Sequence, residues 1–160
     1  MAFLGDYDER ALRRNMGALA AELATDGIKR LTLPRETRDF MGRVGLKAAE
    51  LGARTDSEPL IRLSESARVM EACARQAHID GGMKLPACGG EPRVLLITDK
   101  LCASGDITLD AGRLMLAVSA FDDVQSLTMA ELWAVPEAMR ISVCKAYARA
   151  ASAILRAARA

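Results

Sequence analysis

Aromatic residues are scarce in this sequence: they make up 4% of its 160 residues, whereas apolar residues as a whole make up 51%. A sheet sandwich would need more Val, Ile, Thr and Tyr, and the commonest residue here is alanine. This composition favours closely packed helices. We therefore expect an all-α bundle of about six helices, formed by a single domain over residues 1–160.

Long hydrophobic runs and a strong net charge are also missing. Without 18 consecutive apolar residues, no segment is predicted to span a membrane. The first residues, MAFLGDYDER, carry acids and no basic region, which is unlike a secretory signal. A formal net charge of +1 gives no field that would attract nucleic acid. We expect a cytoplasmic chain. The uncapped ending ILRAARA indicates origin from a longer protein, with a frayed natural terminus as the alternative.

Metal-ligand patterns are absent as well. The single histidine is His78, and none of the four cysteines forms a CxxC pair, so we expect packed, reduced thiols and neither a metal nor a cofactor. His78 and Asp80 could form an acid/base pair, but no nucleophile or third member accompanies them. An ordinary helix end is the favoured interpretation.

Apolar residues recur at helical spacing over most of the chain. The predicted helices are Asp8–Ala24, a second helix capped by Thr32 that ends near Leu51, Glu58–Ala77, Arg93–Ala103, Leu109–Phe121 capped by Thr108, and a long last helix. Gly42 and Gly45 either weaken the second helix or let a neighbouring helix approach closely. The Gly- and Pro-rich stretch Ile79–Pro92 predicts a long loop.

The stretch Ser126–Tyr147 carries the most distinctive local signals. Thr128 followed by Glu131 forms a capping box that begins the last helix, and capping is favoured over an acid/base role for Glu131. Trp133 is expected to pack in the core rather than to stack on a sugar. Pro136 predicts a kink in this helix, or a break at Val135.

Several charged residues have two interpretations each. Arg140 is expected to pair with a carboxylate inside the bundle, with a contact to a partner domain or phosphate as the alternative. Asp106 and Asp110 are interpreted as a turn and a helix start rather than a calcium loop, whose other ligands are missing. Besides Arg140, the last helix carries a basic face formed by Lys145, Arg149, Arg156 and Arg159. They are expected to form a solvated face, and contact with an anionic lipid surface is the alternative.

One block, residues 91–147, resembles the N-terminal region of the cyclic β-1,2-glucan synthases. The matching residues are Pro92, Arg93, Gly105, Asp106, Leu109, Asp110, Leu127, Thr128, Glu131, Leu132, Trp133, Ala134, Pro136 and Arg140. The string ELWAVP is the most specific part. The family usually has an aromatic-rich stretch between the third and fourth helices, where this chain has the Gly-rich segment around Cys88.

The resemblance implies a non-catalytic accessory module whose partners are the other domains of an enzyme that makes cyclic glucan from UDP-glucose. Such a module would lie on the cytosolic side of an inner-membrane protein. The alternative is a free-standing helical binding or regulatory protein. It would contact an anionic partner, either nucleic acid or a membrane surface, through its basic last helix. Glucosyl transfer by the isolated chain would contradict the first hypothesis, and absence of any anion binding at low salt would contradict the second.

Overall fold

The computed structural model describes residues 2–54, 56–80, 82–103 and 111–159. Within those ranges it contains six α-helices and one three-stranded sheet. The elements, in chain order, are α1 (Ala2–Glu22), β1 (Gly27–Arg30), α2 (Arg35–Gly52), α3 (Glu58–Asp80), β2 (Lys84–Cys88), β3 (Glu91–Pro92), α4 (Arg93–Ala103), α5 (Ala111–Val124) and α6 (Met129–Arg159). The prediction of a helical bundle of about six helices is confirmed.

The chain forms two compact units. The first unit comprises Met1–Leu31 and Met83–Met139, and the second comprises Thr32–Gly82 and Arg140–Ala160. Helix α6 contributes its beginning to the first unit and its remainder to the second. That the whole chain behaves as one domain stays a prediction.

Each unit has its own apolar core. In the first unit, α1, α4 and α5 bury a cluster around Met16, Ile97 and Phe121. In the second unit, α2 and α3 pack with the end of α6 around Val44, Leu60 and Ala151. These residues belong to the stripes at helical spacing, which is why burial of one face per helix follows from the sequence.

The prediction of a loop over Ile79–Pro92 is wrong, because this stretch contains β2 and β3. The two strands form an antiparallel hairpin closed by Gly89 and Gly90, which have φ values of 60° and 83°. A two-residue hairpin turn with positive φ at both positions is the preferred connection between twisted strands, and glycine adopts it without strain. The Asp26 carboxylate accepts a hydrogen bond from the Gly89 amide and so holds the turn.

The second strand also forms a pair with β1, so β2 is the central strand of the sheet. A central strand disfavours proline, yet β2 contains Pro86. The short β3 strand pairs only with Ala87 and Cys88, so Pro86 needs no amide hydrogen bond on that side.

The cap predicted for the second helix is also wrong. Helix α2 begins at Arg35, its cap residue is Pro34, and no side chain caps it. The chain before it extends as β1 and then buries Leu31 and Leu33, so Thr32 lies three positions before the helix. Pro34 takes the cap position with φ −55° and ψ 137°, and as proline it has no amide that needs a partner there.

Candidate functional site

The beginning of α6 is a capping box, as predicted. The Glu131 amide donates to the Thr128 hydroxyl at 3.2 Å, and the Thr128 amide donates to Glu131 Oε1 at 2.9 Å. Two backbone donors that the helix cannot satisfy itself are therefore satisfied reciprocally.

The same glutamate forms a buried ion pair with the first residue of α4. Arg93 Nη2 lies 2.7 Å from Glu131 Oε1, and Arg93 Nε lies 3.0 Å from Oε2, so the contact is bidentate. Glu131 is fully buried and Arg93 is 4% exposed. Both carboxylate oxygens are thus engaged in structural bonds, which supports the capping interpretation over an acid/base role.

Arg93 is also the centre of a wider hydrogen-bond network in the first unit. Its Nη1 donates to Gln125 Oε1 at 2.7 Å, and its Nη2 donates to the Ser126 carbonyl oxygen at 3.1 Å. Its guanidinium carbon lies 5.6 Å from the centre of the Phe121 ring, within the range of a cation–π contact. The arginine therefore ties the connector between α5 and α6 to the start of α4.

The inward orientation of Glu131 fixes the rotation of α6. The buried residues in its first turns are Glu131, Ala134, Val135 and Ala138, which follow one another at helical spacing. The opposite face presents Met129, Leu132, Trp133 and Pro136, which have the same i, i+3, i+4, i+7 spacing and face solvent. We call these four residues the apolar stripe.

The prediction that Trp133 packs in the core is wrong, because its side chain is 75% exposed. Leu132 is 37% exposed and Met129 63%. The size and apolar character of Trp133 suggested that it points inward. Glu131 takes the inward position instead, because it closes the capping box and neutralises Arg93.

Pro136 does not break α6, which is continuous from Met129 to Arg159. A proline here removes the helical hydrogen bond to the carbonyl of Leu132, four residues earlier. Both residues lie on the exposed face, so that carbonyl can bind water instead. On the buried face, Thr98 of α4 donates its hydroxyl to the Ala138 carbonyl at 3.2 Å. The break predicted at Val135 is therefore wrong, and the kink at Pro136 stays a prediction.

The remaining predicted site residues lie in the second unit or outside the described part of the structure. Arg140 is half-buried in the second unit, and its pairing with a carboxylate stays a prediction. Asp106, Asp110 and Thr108 lie outside the described residues. His78 and Asp80 are in the last turn of α3, and their side chains lie outside the described part of the structure.

The four residues of the predicted basic face of α6 divide into two groups. Lys145, Arg149 and Arg156 line a cleft of about 340 Å³ together with the beginning of α2. Arg159 lies apart from them, in a smaller cavity of about 160 Å³ with Arg54 and Glu50. The predicted basic face is thus not one uniform surface.

The four cysteines are free thiols. Cys144 is fully buried in α6. Burial is the main cause that raises the pKa of this thiol from 9.0 to about 12, and the neighbouring Cys73 adds to it by charge repulsion and a hydrogen bond. Such a thiol is protonated at neutral pH and is a poor nucleophile.

Among the described residues, no group of three or more His, Cys, Asp or Glu side chains is placed to hold a metal ion. Nor does any helix in that part of the chain reach the length and apolarity needed to cross a bilayer. Compared with known protein families, curated proteins and solved structures, the chain gives no match.

Proposed function

We propose that this chain is a non-catalytic helical interaction module of an enzyme that makes cyclic β-1,2-glucan from UDP-glucose. The observation that carries the proposal is the exposed apolar stripe at the beginning of α6. Its tryptophan, Trp133, belongs to the ELWAVP string on which the resemblance to the cyclic β-1,2-glucan synthases mainly rests.

The residues of this string have two different roles. Glu131 and Ala134 are buried and hold the helix in place against the first unit. Leu132, Trp133 and Pro136 lie on the exposed face, where Trp133 is 75% exposed and Leu132 is 37% exposed. Packing alone accounts for the first set, so the second set calls for a partner.

The composition of the apolar stripe indicates what kind of partner it binds. Trp and Met are enriched in protein interfaces, and tryptophan is among the residues that most often dominate binding energy. None of the four side chains carries a charge. An apolar groove on another domain of the same glucan-synthesising enzyme would be the complementary surface, and in the proposed enzyme the module would lie on the cytosolic side of the inner membrane.

The helix presents the stripe in a preorganised form. The bidentate Arg93–Glu131 pair and the capping box fix the rotation of α6 before any partner binds. A surface that is already ordered loses less conformational entropy on binding.

The test introduces Trp133→Asp into the native gene of the host organism. The amount of cyclic glucan that membranes of this strain make from UDP-glucose is then measured. Met115→Asp is the matched control, because Met115 is 72% exposed on α5 of the same unit but lies outside the apolar stripe. We expect less glucan from Trp133→Asp and unchanged glucan from Met115→Asp, at equal amounts of folded protein. Equal glucan from both variants, or glucosyl transfer by the purified chain alone, would contradict the proposal.

A further inference from the structure

A second surface, in the other unit, has a different chemical character from the apolar stripe. The cleft of about 340 Å³ lies between the beginning of α2 and the middle of α6. Its polar and charged lining residues are Glu36, Thr37, Lys145, Arg149, Ser152 and Arg156. Three cations therefore face one acid, and two hydroxyl groups lie among them.

The α6 side of the cleft is one face of the helix. Lys145, Arg149, Ser152 and Arg156 have the spacing i, i+4, i+7 and i+11. The helix dipole favours cations only in the last turn, where Arg156 lies. Arg149 lies about two turns and Lys145 about three turns before Arg156, so the dipole does not explain them.

The other wall is the amino-terminal turn of an 18-residue helix, α2. Its cap residue, Pro34, forms no side-chain cap hydrogen bond. The first amides of a helix point outward with partial positive charge, and they add to the field of the three cations. Thr37 offers a hydroxyl donor from the same turn.

We propose that this cleft binds a phosphate group. Arginine suits phosphate because its planar guanidinium can donate two parallel hydrogen bonds to the oxygens. Arg149 is exposed and reaches the cleft from the centre of the basic face. Thr37 and Ser152 line the same cleft with hydroxyl groups. The Ser152 hydroxyl accepts a hydrogen bond from Arg156 Nη2 at 3.1 Å, and its own proton can be donated to a phosphate oxygen.

The size of the cleft favours a phosphate that belongs to a larger molecule. A volume of about 340 Å³ is at the lower end of the range for small-molecule sites. The half-buried ring of Phe40 gives the cleft one apolar wall against which the rest of the ligand can pack. The phosphate can come from a small soluble molecule or from a lipid headgroup.

The test uses two probes on the whole chain. Inorganic phosphate is titrated into isotope-labelled protein at constant ionic strength, and amide chemical shifts are followed by NMR. In parallel, sedimentation is measured with phosphatidylcholine vesicles that contain or lack phosphatidic acid. Arg149→Glu is compared with Arg159→Glu, which makes the same charge change on the same helix but outside the cleft.

If the ligand is soluble, phosphate should shift the amides of Thr37 and Ser152, and Arg149→Glu should weaken binding at least about tenfold, because it removes a charge-assisted hydrogen bond. If the ligand is a headgroup, only vesicles with phosphatidic acid should bind, with the same loss in Arg149→Glu. In both cases Arg159→Glu should bind as the unaltered protein does. If neither inorganic phosphate nor the vesicles with phosphatidic acid bind, the proposal is overturned. Equal weakening of binding by Arg149→Glu and Arg159→Glu would also overturn it.

Discussion

Removing Arg93 should destabilise the first unit more than almost any other single change. In Arg93→Met the Glu131 carboxylate stays fully buried, but it loses its two hydrogen bonds from the guanidinium and keeps only the one from the Thr128 amide. Leaving one charge of a buried pair without its partner costs about 3–5 kcal/mol. For a chain of this length, each kcal/mol lowers Tm by roughly 2–4 °C.

The reverse change should cost less. Glu131→Gln keeps the size of the side chain and one carbonyl oxygen, but it places an amide donor against the arginine. Arg93 then stays buried without its ionic partner. It retains its hydrogen bonds to Gln125 and the Ser126 carbonyl and its contact with the Phe121 ring. We therefore expect a smaller loss than in Arg93→Met.

A double-mutant cycle tests whether the pair itself is responsible. In the double variant with Arg93→Met and Glu131→Leu no charge remains buried, and the main remaining loss is the capping contact, worth about 1 kcal/mol. The single variants of this cycle are Arg93→Met and Glu131→Leu. The double variant should lose less stability than the sum of their two separate losses, by about 2 kcal/mol or more. Urea unfolding followed by circular dichroism gives these free energies of unfolding. A loss of less than about 1 kcal/mol in Arg93→Met, or strictly additive losses in the double variant, would show that the buried ion pair is not responsible.

Three further predictions concern single positions. Trp133→Ala should change the free energy of unfolding by no more than about 0.5 kcal/mol, because the side chain is mostly exposed, whereas a core tryptophan would cost about 3–5 kcal/mol in the same urea experiment. Gly42→Ala should stabilise the second unit by roughly 0.5–1 kcal/mol, since a β-carbon at that position meets nothing within 4 Å. Gly45→Ala should stabilise it less or destabilise it, because its β-carbon would lie 3.1 Å from that of Ala67. Equal changes in Tm for the two variants would contradict this. The pKa of Cys144 is about 12 in the folded chain and 9.0 ordinarily, so the unfolded chain releases this proton first as pH rises. The contribution of Cys144 to the free energy of unfolding should therefore be fully present below pH 9 and should be lost as pH rises toward 12. Cys144→Ala should show a smaller fall over that range, and an identical fall would show that this thiol is not its cause.

Much of the helical architecture is predictable from local signals. The bounds of α4 and the first residue of α3 agree with the sequence prediction, because Pro59 and the apolar periodicity mark them. The capping box is also local, since its two side chains are three residues apart. Such features depend on neighbours along the chain, which a single sequence displays.

The sheet was missed although part of its signal is local. A Gly-Gly pair between two short apolar stretches is a recognised hairpin signal, and Gly89 and Gly90 form that turn. The remaining glycines and prolines around it favoured a loop instead. The pairing of β1 with β2 joins Gly27 to Ala87 across 60 residues, and no local pattern specifies that contact.

The site could be predicted only in part for a similar reason. The ion pair between Arg93 and Glu131 spans 38 residues, so the sequence gives each residue a role without showing that they meet. That contact decides which face of α6 is buried. Without it, the most apolar face of the helix is assumed to point inward, and Trp133 is placed in the core.

The measurement that tests the central claim most directly is photo-cross-linking from position 133 in the host organism. A photoreactive phenylalanine derivative replaces Trp133 in one strain and Met115 in another, and the cross-linked peptides are identified by mass spectrometry. We expect position 133 to cross-link to a domain of a glucan-synthesising enzyme, in the same polypeptide or another, and position 115 not to do so. Cross-links from position 133 that never reach such an enzyme would contradict the proposal.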